Sequence, residues 1–192
     1  SLGVKPNKKA PVLLEELRQM VATRPDTVMG LRDRALLLIG FSGAFRRSEL
    51  VALDLADLEF VAEGVVITVR RSKTDQEGEG VEKAIPYAMD QSMCPVKMLR
   101  KWIDVAGIVS GPVFLSVDRW DVVSGRMSDR GVARAVQRAA MQTGLDPSRF
   151  AGHSLRAGFA TSAILAGKSE ADTMRQTGHR SIAVFRGYVR VA

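Results

Sequence analysis

One segment of this chain, Met29–Ala44, is apolar on nearly every face after a charged first turn. A helix that is apolar all round has to be covered on all sides, so the pattern predicts a central core helix. A chain of 192 residues is long enough to cover such a helix in one domain without disulfides or bound metal. We therefore expect the fold to be built around this segment.

Apolar residues at three- and four-residue spacing predict further helices before and after the core helix. They are a first helix from Pro11 to about Pro25, and later ones at about Ser48–Leu53, Pro95–Ala106, Ser128–Thr143, His153–Ala166, Glu170–Gln176 and Ile182–Tyr188. The period changes to that of β-strands at Leu58–Val61, Val65–Arg70 and Val81–Pro86. These patterns predict a mainly helical α+β fold, with helices packed around a small three-stranded antiparallel sheet.

The amino-terminal residues and the overall composition of the chain predict its domain boundaries and its compartment. Residues 1–10 are polar and indicate a linker remnant, so we expect the domain to span 11–192 and an upstream domain to be missing. The apolar runs are too short to span a bilayer, and the amino-terminal residues lack a signal-peptide pattern. A single cysteine, Cys94, cannot form an internal disulfide, which fits a cytoplasmic protein.

The charge balance points to a class of partner. Lysine and arginine number 28 against 21 aspartate and glutamate residues, which gives a net charge of +7 and an isoelectric point near 10.0. A basic surface attracts polyanions over long range, so nucleic acid leads the expected partners. The alternative is a basic protein whose charge serves solubility alone.

Both histidines and one of the two tyrosines lie in the last quarter of the chain. His153-Ser-Leu-Arg156 places an imidazole and a guanidinium on one face of a helix, because their spacing is three residues. His179 follows a glycine, and Tyr188 comes nine residues later. Each residue also has a structural interpretation, as a helix cap, a packed side chain or a core aromatic. Their proximity in sequence favours a shared site.

Two basic positions lie far upstream of these residues. Arg46 comes directly after the core helix, where a guanidinium is costly to bury unless it meets an anion. An ion pair with Glu49 is the alternative to a functional role. Arg70-Arg71-Ser72-Lys73-Thr74 is a cationic cluster where a strand enters a polar, glycine-containing loop. A solvated run of charges is the alternative there.

Taken in order, these pieces resemble the tyrosine recombinase, or phage integrase, family. The shared pattern is Arg-x-Ser-Glu-Leu after a helix, a lysine in a β-hairpin, His-x-x-Arg, and Gly-His followed nine residues later by Tyr. It extends from Arg46 to Tyr188, and the helix from Pro11 is similar to the first helix of that family's catalytic domain. The resemblance implies a catalytic set of Tyr188, Arg46, Arg156, His153, His179 and Lys73, supported by Glu49. It also suggests Arg47, Arg71 and Arg180 as contacts to the DNA backbone.

The resemblance implies a reaction as well. Tyr188 would attack a DNA phosphodiester to form a 3′-phosphotyrosine, and strands would be exchanged through a four-way junction. Arg46 and Arg156 would hold the nonbridging oxygens, with no metal or other cofactor. The family further implies His153 as the base and Lys73 as the acid for the leaving oxygen. His179 would donate a hydrogen bond to a nonbridging oxygen.

Some features leave alternatives open. Arg47 stands beside Arg46, and Arg46 is preferred because it lies two residues before Ser48. The chain stops four residues after Tyr188, whereas family members continue with a segment that docks onto a neighbouring subunit. We therefore expect a monomer for this domain, and a homotetramer on double-stranded DNA, away from membranes, for the full-length protein. A type IB topoisomerase and a non-catalytic helical DNA-binding module are the rival interpretations. A phage, transposon or chromosomal role stays open.

Overall fold

The structure is a computed structural model, and it describes residues 8–70 and 80–189. Its helices are α1 (Leu14–Ala22), α2 (Val28–Ser42), α3 (Arg47–Ala52), α4 (Pro95–Val105), α5 (Asp129–Gln142), α6 (Ser154–Leu165), α7 (Glu170–Thr177) and α8 (Ile182–Tyr188). Its strands are β1 (Leu58–Val61), β2 (Gly64–Val69), β3 (Val81–Pro86), β4 (Leu115–Val117) and β5 (Val123–Arg126). The predicted mainly helical α+β class is confirmed, with element ends shifted by a few residues.

Helix α2 is the core helix that the sequence predicts. It contacts α1, α3, α4, α5 and α6, and its residues from Ala35 to Gly40 are all buried. A β-carbon at Gly40 would lie 2.7 Å from Leu155 Cδ1, so the glycine is what lets α6 pack closely against the end of α2. This close packing brings the first turns of α6 beside the turn that leaves α2.

The three predicted strands form one antiparallel sheet in the order β1–β2–β3. Leu58 pairs with Ile67, and Ile67 pairs in turn with Lys83. The predicted three-stranded sheet is confirmed, and β4 and β5 form a second, two-stranded antiparallel sheet that the sequence patterns did not predict. These strands have three and four residues, and β5 contains Ser-Gly-Arg, so they lack the apolar alternation that identifies a strand.

Helix α8, at the end of the described chain, rests on α6 and α7. Its Phe185 is fully buried, and Arg186 donates hydrogen bonds of 2.7 and 2.9 Å to the two carboxylate oxygens of Glu170 on α7. These contacts place the last residue of α8, Tyr188, near the first turn of α6. Within residues 8–70 and 80–189, no helix has the length and apolar character needed to cross a membrane.

Candidate active site

The turn that follows α2, residues 42–45, receives hydrogen bonds from three elements. Its consecutive carbonyl groups each accept from one side chain: Ser42 from Gln176 at 2.9 Å, Gly43 from Lys83 at 2.5 Å and Ala44 from Arg156 at 2.9 Å. Ala44 has a φ of 50°, and the left-handed conformation costs a residue with a β-carbon roughly 1–2 kcal/mol. The hydrogen bonds offset this local cost, and the stabilised turn leads directly to Arg46.

Arg156, in the first turns of α6, is fully buried. Its Nη1 donates to the carbonyl oxygens of Ala44 and Thr177 at 2.9 and 2.5 Å. No carboxylate in the described part of the chain lies within ion-pair distance of it, and its buried Nε has no hydrogen-bond partner there. A buried guanidinium is strongly destabilising when it lacks a counter-charge. The arrangement is therefore suited to receive an anion.

Tyr188 lies against two of the other predicted site residues. Its ring centroid is 4.7 Å from that of His179, and Cζ of Arg156 is 5.4 Å from the Tyr188 centroid. Burial, and after it the charge of Arg46, lowers the pKa of the Arg156 guanidinium, and the nearby Glu49 and Tyr188 raise it in part. The structure thus brings Tyr188, His179 and Arg156 together within one chain.

The hydrogen bonds of His179 define its tautomer. The hydroxyl of Thr177 donates to the carbonyl of Met174 at 3.2 Å, so at 2.7 Å it accepts from Nδ1–H of His179. Nε2 then carries the lone pair and lies 3.3 Å from Nη2 of Arg156. Burial, and after it the nearby arginine and lysine charges, lowers the pKa of His179 to about 4. His179 is therefore neutral at physiological pH without DNA.

This low pKa gives a stability prediction. Between about pH 6.5 and 4 the unfolded chain binds a proton at His179 that the folded chain does not bind. The free energy of unfolding should therefore fall as the pH is lowered through this window. Denaturant unfolding across that range measures the fall, and His179→Asn should reduce it. Ring-nitrogen NMR that finds His179 titrating near 6.5 would contradict the prediction.

His153 is the residue directly before α6. It is exposed, and it lines a cavity of about 470 Å³ together with Tyr188, Lys8 and Lys9. Partial burial and then the charges of three arginines, led by Arg47, lower the pKa of His153. A neutral imidazole is the form that accepts a proton, so its charge state suits a base that shares a cavity with the tyrosine.

Arg46 and Glu49 form the ion pair that was the alternative to a functional role. Oε2 of Glu49 accepts from the backbone N–H of Arg46 at 2.8 Å, and its Oε1 accepts from Nη1 at 3.1 Å. The Arg46 side chain is 47% exposed, and the other guanidinium nitrogens have no hydrogen-bond partner among the described residues. The pair occupies one nitrogen and leaves the others available for an anion.

Arg47 and Arg180 lie outside this group of contacts. Nε of Arg47 is 3.5 Å from a carboxylate oxygen of Asp129. Its aliphatic part packs over Gly152, where a β-carbon would lie 2.6 Å from Arg47 Cδ. Arg180 is exposed between α7 and α8. Both neighbouring arginines thus have a carboxylate partner, and the choice of Arg46 over Arg47 stays a prediction.

Lys73 and Arg71 lie outside the described residues. The structure gives no position for the predicted general acid, and that role stays a prediction. Among the residues that the structure does describe, no group of three or more histidine, cysteine, aspartate or glutamate side chains could hold a metal ion.

A second lysine, Lys83, belongs to the site and was missed in the sequence. It is 4% exposed, its Nζ lies 4.9 Å from the Phe45 ring centroid, and its charge lowers the pKa of His179. The alternation of residues along β3 indicates that Lys83 is buried, because Lys83 lies on the same inward face as Val81 and Ile85. A lysine between two apolar residues on the inward face points to a buried ammonium group.

The sequence profile of the phage integrase family matches residues 12–192. This chain belongs to that family. It is 43% identical over 183 residues to an integrase/recombinase XerD homologue of Selenomonas ruminantium, covering 94% of this chain and 54% of the relative. This family member therefore spans about half the length of the curated relatives it matches.

Solved structures have the same fold as this integrase-family domain. The XerH site-specific recombinase bound to palindromic difH substrate in a post-cleavage complex matches with a TM-score of 0.72 at 15% identity, over 98% of this chain and 51% of that chain. A lambda integrase tetramer bound to a Holliday junction matches with a TM-score of 0.61 at 19% identity, over 99% and 50%. The predicted resemblance and the tyrosine recombinase catalytic-domain fold are confirmed.

Proposed function

We propose that this domain is the catalytic domain of a site-specific DNA recombinase that uses Tyr188 as its nucleophile. The observation that supports this most is Arg156, fully buried beside Tyr188 with an unpaired Nε and no carboxylate partner in the described chain. A scissile phosphate next to the tyrosine supplies the missing negative charge. Family membership and the recombinase names of the relatives support the same assignment.

The proposed reaction consists of two transfers of a DNA phosphoryl group, first to Tyr188 and then to a second strand. The Tyr188 oxygen forms a bond to phosphorus, the bond from phosphorus to the 5′-oxygen breaks, and a 3′-phosphotyrosine results. The phenol proton passes to His153, and Lys73 protonates the leaving 5′-oxygen. A 5′-hydroxyl from a second strand then attacks the phosphotyrosine and gives its proton to Lys73, the bond from phosphorus to the Tyr188 oxygen breaks, and that oxygen takes its proton back from His153. Repetition on the other strands passes through a four-way junction.

The proposed roles of the cations follow from where charge develops. Negative charge grows on the nonbridging oxygens, and guanidinium donors from Arg46 and Arg156 stabilise it. His179 is a neutral acceptor at Nε2 without DNA, so it must gain a proton there before it can donate to phosphate. The negative charge of the phosphate favours this change because it raises the pKa of a neighbouring imidazole.

Double-stranded DNA is the proposed substrate, and a homotetramer on DNA is the proposed assembly of the full-length protein. The support is the net charge of +7 and the fold shared with a lambda integrase tetramer on a Holliday junction. The cytoplasm is the proposed location, because a recombinase has to reach DNA.

One experiment separates the proposal from its rivals. The protein is incubated in excess chelator with a library of nicked duplexes of random sequence, and covalent complexes are collected by phenol partition and sequenced. The recovered sequence is then tested for exchange between two sites and for plasmid relaxation. Exchange supports the recombinase, relaxation alone indicates a topoisomerase-like activity, and no adduct indicates a binding module. Strict dependence on a divalent ion would contradict the metal-free mechanism.

The general-acid role proposed for Lys73 has its own prediction. Lys73→Ala should lower cleavage of an ordinary nicked substrate by roughly 10²–10⁴-fold, which is the usual contribution of a positioned acid. A 5′-phosphorothiolate leaves as a thiolate without protonation, so it should restore the rate of the variant to near that of the wild type. Tyr188→Phe serves as the control that this substrate must not rescue. If sulfur substitution leaves Lys73→Ala slow, the acid is another group.

A further inference from the structure

Lys83 has an unusual environment for a lysine. Nζ donates to two carbonyl oxygens, Gly43 at 2.5 Å and Gln176 at 2.9 Å, and no carboxylate in the described chain lies within ion-pair distance. Burial lowers the pKa of Lys83 to about 8. Since a methionine fills similar space without charge, a lysine here is costly for stability. A function is the natural reason for such a residue.

The two acceptors of Lys83 belong to the two backbone segments that hold Arg156. Gly43 precedes Ala44, and Gln176 precedes Thr177, while the carbonyls of Ala44 and Thr177 are the acceptors of Arg156 Nη1. Lys83 and Arg156 therefore bridge the same pair of segments one residue apart. The second segment also orients His179, because the Thr177 hydroxyl accepts from Nδ1–H.

We propose that Lys83 is a positioning residue: its ammonium group holds the turn after α2 against the end of α7, and thereby sets the positions of Arg156 and His179 for the scissile phosphate. This inference rests on the proposed function. The charged and titratable groups around Lys83 are Glu49, Arg46, Arg156 and His179. With one carboxylate against three other cationic or basic groups, the cluster also favours an anion.

The first test measures cleavage and DNA binding separately. In Lys83→Met the single-turnover rate of adduct formation should fall roughly 100-fold, the loss typical of an ångström-scale misplacement. The dissociation constant for DNA should change little. Lys83→Arg keeps the charge and can donate to both carbonyls, so it should recover most of the rate. Lys97→Met, which removes an exposed lysine on α4, is the matched control and should behave as the wild type.

The second test needs no activity. With two histidines in the chain, ring-nitrogen NMR resolves His153 and His179 separately. In Lys83→Met the pKa of His179 should rise, because one of the cations that lower it is gone, and its Nδ1–H tautomer should lose population. Both should stay near wild type in Lys83→Arg, and His153 should be unaffected in either variant.

The outcomes separate this proposal from the proposed function. If the wild type forms no adduct, the recombinase assignment fails, and the histidine spectra still report whether Lys83 positions His179. An unchanged cleavage rate, an unmoved His179 spectrum, or an equal loss of DNA affinity would overturn the positioning role. If Lys83→Met does not fold, Lys83→Gln replaces it, and a cleavage rate equal to that of Lys83→Arg would overturn the proposal.

Discussion

Tyr188→Phe should abolish the covalent protein–DNA adduct on a nicked suicide substrate. The substitution removes the one oxygen that can bond to phosphorus in the proposed reaction, so we expect a loss of at least ~10⁴-fold. The phenyl ring preserves the contact with His179, whose centroid lies 4.7 Å away, and α8 keeps its buried Phe185. DNA affinity and the unfolding transition should therefore stay close to wild type. Denaturing gels of labelled substrate measure the adduct.

The other tyrosine supplies the matched control for this experiment. Tyr87 follows β3 and is 38% exposed, so Tyr87→Phe removes the same atom from a tyrosine with no proposed role. Its adduct yield should equal that of the wild type. Mass spectrometry of the wild-type adduct should place the nucleotide on the peptide that contains Tyr188. An adduct that survives Tyr188→Phe would contradict the nucleophile assignment.

Arg156→Lys should produce the second-largest loss of cleavage. An ammonium group cannot hold the carbonyls of Ala44 and Thr177 and also present a planar pair of donors to a phosphate. Removal of a donor that stabilises developing charge costs about 10²–10³ in rate. We expect a loss of that order in the single-turnover rate, and a smaller effect on DNA affinity because the chain's net charge of +7 would also attract the duplex.

A second arginine with an unpaired Nε separates catalysis from stability. Nε of Arg138 is also buried without a partner, but Nη2 lies 3.1 Å from the Asp33 carboxylate, so this arginine already has its counter-ion. Arg138→Lys should lower stability and leave the cleavage rate near wild type. Unfolding curves and cleavage rates of Arg156→Lys and Arg138→Lys show whether Arg156 acts on catalysis or only on stability. Equal losses of cleavage would show that Arg156 acts through stability alone.

The sequence predicts the elements well where burial and period agree. The core helix α2 and the strands β1, β2 and β3 are recognisable because their apolar residues repeat at the spacing of helix or strand. β4 and β5 are too short for a period to emerge, and their pairing depends on contacts made after the chain has folded. Tertiary context decides such elements.

The candidate site, too, was predictable from the sequence only in part. The resemblance names Arg46, Arg156, His179 and Tyr188 by order and spacing, whereas their geometry depends on which backbone carbonyls lie between them. That the Arg156 guanidinium would bind the carbonyls of Ala44 and Thr177 could not be predicted, because residue 44 lies 112 positions away in sequence. Lys83 was missed for a related reason: its burial follows from the register of β3, which spacing of charged residues does not reveal.

Helix α8, which carries Tyr188, is held by contacts different from those that hold Arg156. A helix of seven residues is not stable alone, so Tyr188 holds its position through Phe185 and the Arg186–Glu170 pair. Arg156 belongs to the buried body of the domain and does not depend on α8 for its backbone hydrogen bonds. The hydrogen bonds that hold Arg156 and the contacts that hold Tyr188 are thus independent of each other. A displacement of α8 would move the proposed nucleophile and leave the hydrogen bonds of Arg156 to Ala44 and Thr177 in place.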